Sequence, residues 1–228
     1  MAYPTVAAKA NSTTDTASTS HSVSLPANID EGDLLLIFIA TDGGNTISNW
    51  NGFSELANGS RDTHCSLSIG YKWASGSEGA SITITTANSE HASHMSWRIT
   101  GADSEQNPEV SSVATGADSY PNASSLAPTG GAKDYLWIVV EGNDAVDTAI
   151  VFPLSDNNLG QDSGGGSTDG CSLGICSDDL NQSSFDPDAF TIEGDDQWVA
   201  FTVVVHPGEG SEGSVVPIIL NQRRRLNA

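Results

Sequence analysis

Positive charge is the scarcest commodity in this chain: 8 Lys and Arg stand against 29 Asp and Glu in 228 residues, a net charge of −21. Three of the eight are Arg223, Arg224 and Arg225. Without them five basic residues face 29 acidic ones, so residues 1–222 carry −24. A body this acidic repels phosphates and anionic headgroups, which argues against nucleic-acid and membrane-surface partners. Cysteine is nearly as scarce. Cys65, Cys171 and Cys176 are too few for a disulfide scaffold. No apolar run reaches the length of a membrane span. The start, Met1-Ala-Tyr-Pro-Thr-Val, has neither the basic nor the apolar region of a secretory signal. Catalytic signatures are missing too: no Gly-x-Ser-x-Gly elbow, no Walker loop, and no Gly-x-Gly-x-x-Gly after a strand.

What the chain does have is strands. Leu34–Ile39 and Tyr135–Val140 are short, dense apolar runs, each launched by a turn ending in Asp33 or Asp134. Such runs read as strands buried on both faces. Residues 64–73 alternate, with Cys65, Leu67, Ile69, Tyr71 and Trp73 on one side and His64, Ser66, Ser68, Gly70 and Lys72 on the other. This predicts a half-buried antiparallel strand with one wet face. Ile82 and Ile84 continue the pattern, and a turn is expected before Met95, Trp97 and Ile99 alternate in a further strand. Trp198–Val205 is the last dense run. The fold class expected is all-β, an antiparallel β-sandwich. Leu35, Ile37, Leu67, Ile69, Trp97, Leu136, Ile138, Phe201 and Val203 should form its core. At 228 residues one large sandwich is an ordinary outcome. The two halves echo each other at an offset of about 101, Asp33 with Asp134 and Trp97 with Trp198. This suggests a pseudo-duplicated sandwich, against the alternative that every sandwich repeats strands at some spacing.

Around that domain, taken as residues 21–206, lie two arms. Residues 1–20 are rich in Ala, Ser and Thr and read as an extended arm or edge segment. Residues 102–132 read as a long connection, crossing from one sheet to the other, and 154–189, with Gly160–Gly166, as a long loop excursion. Residues 207–228 hold a Gly/Glu linker, the apolar run Val215, Val216, Ile218, Ile219, Leu220, and the basic cluster Arg223, Arg224, Arg225. An apolar run beyond a linker is a candidate docking strand for a partner, with the arginines pairing to an acidic patch.

Catalytic, cofactor and metal residues are all predicted to be none. The five histidines lack zinc spacing, and a surface position is the expectation for His91 and His94. Cys171-Ser-Leu-Gly-Ile-Cys176 could close a local disulfide, give two thiolates or stay free. The loop acids lack calcium-binding spacing. Trp50, in Asn49-Trp-Asn-Gly-Phe53, is the one tryptophan placed in a loop and the candidate glycan contact, though plugging a sandwich end is the commoner role.

Taken in order, Gly32-Asp-Leu-Leu35, Asn51-Gly-Phe53, Tyr71-Lys-Trp-Ala-Ser-Gly-Ser-Glu-Gly79, Trp97-Arg-Ile-Thr-Gly-Ala102, Lys133-Asp-Tyr-Leu-Trp137 and Trp198-Val-Ala-Phe201 resemble a group of β-sandwich proteins. These are encoded among the structural genes of tailed bacteriophages. The resemblance runs over residues 20–206 and implies a jelly-roll-like virion component without enzymatic activity. A head decoration, tail or fibre protein would meet other virion proteins and copies of itself, and would be made in the host cytoplasm. The alternative is an adhesin module that binds host surface glycans.

Overall fold

The computed structural model describes residues 2–146, 151–154, 156–166 and 169–208. The docking candidates Val215, Val216, Ile218, Ile219, Leu220, Arg223, Arg224 and Arg225 lie outside the described residues. The fold is an all-β antiparallel sandwich, with no helix among the described residues.

The first six strands form one sheet: β1 (Thr5–Ser24), β2 (Glu31–Asp42), β3 (Ile47–Asn49), β4 (Ser54–Arg61), β5 (Cys65–Ser75) and β6 (Ser81–Thr100). Their order is β1-β6-β2-β5-β4, with β3 on the outer part of β6. The last six form the other: β7 (Glu109–Val110), β8 (Ala114–Asp118), β9 (Lys133–Asn143), β10 (Asp156–Gly166), β11 (Asp169–Gln182) and β12 (Asp196–Val205). The order there is β10-β11-β9-β12-β7, with β8 also on β12. The predicted crossing between sheets falls at its start, between the end of β6 and β7.

Between the sheets lies one continuous core. Leu34, Leu36, Phe38, Leu67, Ile69 and Trp97 from the first sheet meet Leu136, Ile138, Leu173, Ile175, Phe201 and Val203 from the second. All nine predicted core residues are buried, although Leu35 and Ile37 point away from the inter-sheet core. They are buried because the β1–β6 ribbon folds over. Its register shifts around Ser18 and Glu90, and its far half, Val23, Leu25 and Ile84, packs on Leu35, Ile37 and Ile39. Bulges of this kind bend a strand pair.

Several expectations are corrected by this. Of the two readings of residues 1–20, the edge segment holds and the separate arm does not, and no boundary falls at residue 21, because β1 runs unbroken from Thr5 to Ser24 at the sheet edge. No turn separates Ile84 from Met95: β6 is one strand of 20 residues. The polar face of β5 is not wet, since Ser66 and Ser68 are buried under the folded ribbon and its neighbours. The Ser66 hydroxyl pairs with Thr41 Oγ1 at 2.6 Å, and Ser68 accepts from Asn58 Nδ2 at 2.7 Å. The 154–189 excursion is likewise mostly sheet, as β10 and β11, and β11 lies between β10 and β9.

The outer face of the second sheet is covered by loops. Ala123, Leu154 and Phe190 pack on Val139 and Ala200, and Leu126 and Phe185 pack near Tyr135 and Trp137.

The two sheets repeat one three-stranded unit. Ala40 pairs with Leu67 and Leu36 with Trp97 in the first; Gly142 pairs with Leu173 and Ile138 with Val203 in the second. A shift of 102 residues therefore maps β2 on β9, and one of 106 maps β5 on β11 and β6 on β12, with register and inward faces kept. Trp97 thus corresponds to Val203, not to Trp198 as the offset of 101 suggested. The units approach closely where Ala40 faces Gly142. A methyl built on Gly142 would lie 3.0 Å from the Ala40 side chain. Gly142→Val should therefore be destabilising by about 1–3 kcal/mol, through overpacking, in a urea melt.

Candidate functional site

The structure gathers its ionisable groups at the pole where β2 and β9 end. Asp42 closes β2 and Asp144 directly follows β9, at equivalent positions of the two units. They follow strands of opposite sheets. Burial, then the hydrogen bond and charge of Asp42, then the charge of Asp196 push Asp144 up to about 6, against an opposing pull from His64. His64, at the β4–β5 turn, has its Nδ1 3.1 Å from Asp144 Oδ2; His91 on β6 has its Nδ1 3.7 Å from Asp42 Oδ2. Burial and Asp42 also raise Glu90, with His91 opposing.

Beneath the pair sit two thiols. The Cys65 thiol donates to the carbonyls of Gln197 (3.5 Å) and Gly142 (3.9 Å), and the Cys171 thiol to those of Ala40 (3.3 Å) and His91 (3.9 Å). Ala40 corresponds to Gly142 and His91 to Gln197, so the two sites are copies. Burial pushes the Cys171 thiol up to about 12 and raises Cys65 still further, with Asp144 adding to the latter. All three cysteines are free, and Cys171 and Cys176 face opposite sides of β11, one in the inter-sheet core and one under the loops. The local disulfide is thereby excluded. Among the described residues no group of three His, Cys, Asp or Glu is placed to hold a metal ion.

The histidines differ from expectation. His94 is fully buried with His21, their rings 5.6 Å apart, under the folded ribbon. Ser12, Thr14 and Thr86 hydroxyls surround the two rings at 3.0–3.3 Å. Burial first, and then His21, hold His94 down to about 3. Unfolding frees this ring to take a proton below its ordinary value near 6.5, so its contribution to stability fades as pH falls. Acidification from pH 7 to pH 4 should cost roughly 3 kcal/mol through His94. His94→Gln should remove most of that slope from denaturant melts taken across this range.

Trp50 is half-buried rather than freely exposed. Its ring lies over Gly70, where an added methyl would meet it at 2.4 Å, and its Nε1–H donates to Glu55 Oε2 at 3.0 Å. Val, Thr or Ile at residue 70 would lift the ring off the sheet.

No family matches the chain, and neither does any curated protein or solved structure.

Proposed function

We propose that the chain is a non-enzymatic structural component of a tailed-phage virion, a head decoration, tail or fibre protein displayed in multiple copies. The observation that supports this reading best is the polarity of the sandwich. Thr5 pairs with Thr100, and the Gly208 N–H donates to the Gly101 carbonyl at 2.8 Å, so β1 starts and the described residues end at one pole. A body tethered from that pole presents the opposite one outward. Beside Gly208 lies an open cleft of about 530 Å³ lined by Asp103, Ser104, Glu105 and Gln106. Its acids complement Arg223–Arg225 of a neighbouring copy, or of another virion protein bearing a similar cluster. Deletion of residues 209–228 is the test. The domain should melt as before, while incorporation into particles is lost; normal incorporation would overturn the attachment.

A second reading, glycan recognition, is favoured by Trp50, which is fixed over Gly70 beside the Glu55 carboxylate with part of the residue at the surface. Aromatic faces in such fixed settings suit sugar rings. Binding on a glycan array that disappears in Trp50→Ala would select this reading; no binding is the outcome for pure decoration.

A further inference from the structure

We infer that the seam between the two sheets is a two-fold dimer interface enclosed within one chain, and that it accepts the opposite half of a second copy, giving dimers that exchange halves. The inference is independent of the virion reading. It starts from the order of strands. From one edge to the other the first sheet runs β1-β6-β2-β5-β4, and the second β7-β12-β9-β11-β10, with β8 also on β12. Both follow one plan: opening strand, closing strand, then β2 or β9, β5 or β11, and β4 or β10. The inward faces repeat too. Cys65, Leu67 and Ile69 on β5 recur as Cys171, Leu173 and Ile175 on β11, all six in the inter-sheet core.

Contacts across the seam are reciprocal, as a two-fold interface requires. β1 lies against β10 and β4 against β7 and β8, while β6 faces β11 and β5 faces β12. The Cys65 thiol reaches the Gly142 and Gln197 carbonyls, and its equivalent Cys171 reaches those of Ala40 and His91. Ala40 and Gly142 are each other's equivalents and face one another, which places the pseudo-axis between them.

Among the described residues every backbone ladder stays within one half, residues 5–100 in one sheet and 109–205 in the other. The halves are held by side-chain packing, which a second copy can supply unchanged, and by the connection at 101–108. Gly101 is exposed with φ +73°, and Ala102 already bridges to Pro207 beyond β12, so Gly101 is the hinge. Opening it separates two sheets whose apolar faces fit the opposite halves of a neighbour. A short connection holds its ends at a roughly millimolar effective concentration, so the closed monomer prevails in dilute solution.

The hinge supplies the test. A methyl on Gly101 would stand 3.6 Å from the Tyr3 carbonyl oxygen, an ordinary contact, so the backbone angle is the main obstacle to a side chain there. Gly101→Val strains the closed hinge, and exchange relieves two hinges per dimer. Full-length protein would be refolded from urea over a range of concentrations and sized by light scattering. The concentration at which half the chains are dimeric should fall about a hundredfold in Gly101→Val. Gly101→Asn, which tolerates a positive φ, should stay close to wild type. In mixtures of isotopically heavy and light chains, cross-links should join residues 1–100 of one chain to 109–208 of the other across the seam. Monomers alone at every concentration in both wild type and Gly101→Val, or dimers whose heavy–light cross-links avoid the seam, would overturn the proposal. Should Gly101→Val fail to fold, the wild type decides. Refolded at roughly millimolar concentration it should contain dimers cross-linked across the seam, and a purely monomeric product refutes the exchange.

Discussion

Removal of residues 2–20 is expected to abolish the cooperative folding transition, although this stretch is nearly devoid of large apolar residues. The segment supplies most of β1, the hydrogen-bonding partner of β6 from Thr5 to Thr14. Without it β6 is left as an open edge, and the buried His94 ring loses Ser12 and Thr14. Lys9, whose ammonium stands 5.9 Å from the Trp97 ring, and Val6, packed on the core, go with it. Each buried polar group left unsatisfied costs about 1–3 kcal/mol. Added to the lost strand pairing, a few such groups use up the 5–15 kcal/mol that holds a typical domain together. Urea denaturation followed by tryptophan fluorescence is the measurement. A truncated chain melting close to the full-length midpoint would return residues 2–20 to the status of an arm.

The second large effect is expected in the inter-sheet core. Leu136 on β9 and Phe201 on β12 are buried and point between the sheets among Leu, Ile and Val side chains. Close packing on all sides leaves little room to collapse, so Leu136→Ala and Phe201→Ala should each cost about 2–5 kcal/mol. For a domain of this size, 1 kcal/mol moves the melting temperature by roughly 2–4 °C, so drops of about 5–20 °C are expected. Val113→Ala, at a residue 47% exposed, serves as the control and should stay within about 0.5 kcal/mol. If the two core variants melted like the control, the strand register would be wrong.

These two cases mark what local pattern could and could not reveal. β2, β5, β9 and β12 were legible because their apolar residues follow the strand period or fill both faces, and Leu136 and Phe201 were placed from that alone. β1 and β10 were not, because Ser, Thr, Gly and Asn carry little hydrophobic signal, and only their partners make them strands; β11 carries the alternation Cys171, Leu173, Ile175, but inside a Gly-, Ser- and Asp-rich stretch that reads as loop. His94, Ser66 and Ser68 looked solvent-facing because alternation assigns a face and not what lies on it. The β1–β6 ribbon, folding back over its own sheet, is a long-range event with no local mark. Asp42 and Asp144 were beyond reach for a similar reason. The repeat was visible, but Trp97 and Trp198 anchored it at the wrong offset. The equivalence of the two aspartates appears only once strand register separates the shift of 102 from that of 106.

The functional proposal meets its most direct test in the particle itself. Quantitative mass spectrometry of purified virions, normalised to the major capsid protein, would measure this chain's copy number. The account predicts multiple copies per particle, in a fixed ratio to the other structural proteins and retained through density-gradient purification. Its absence from purified particles, while it is abundant in the infected cell, would contradict the account.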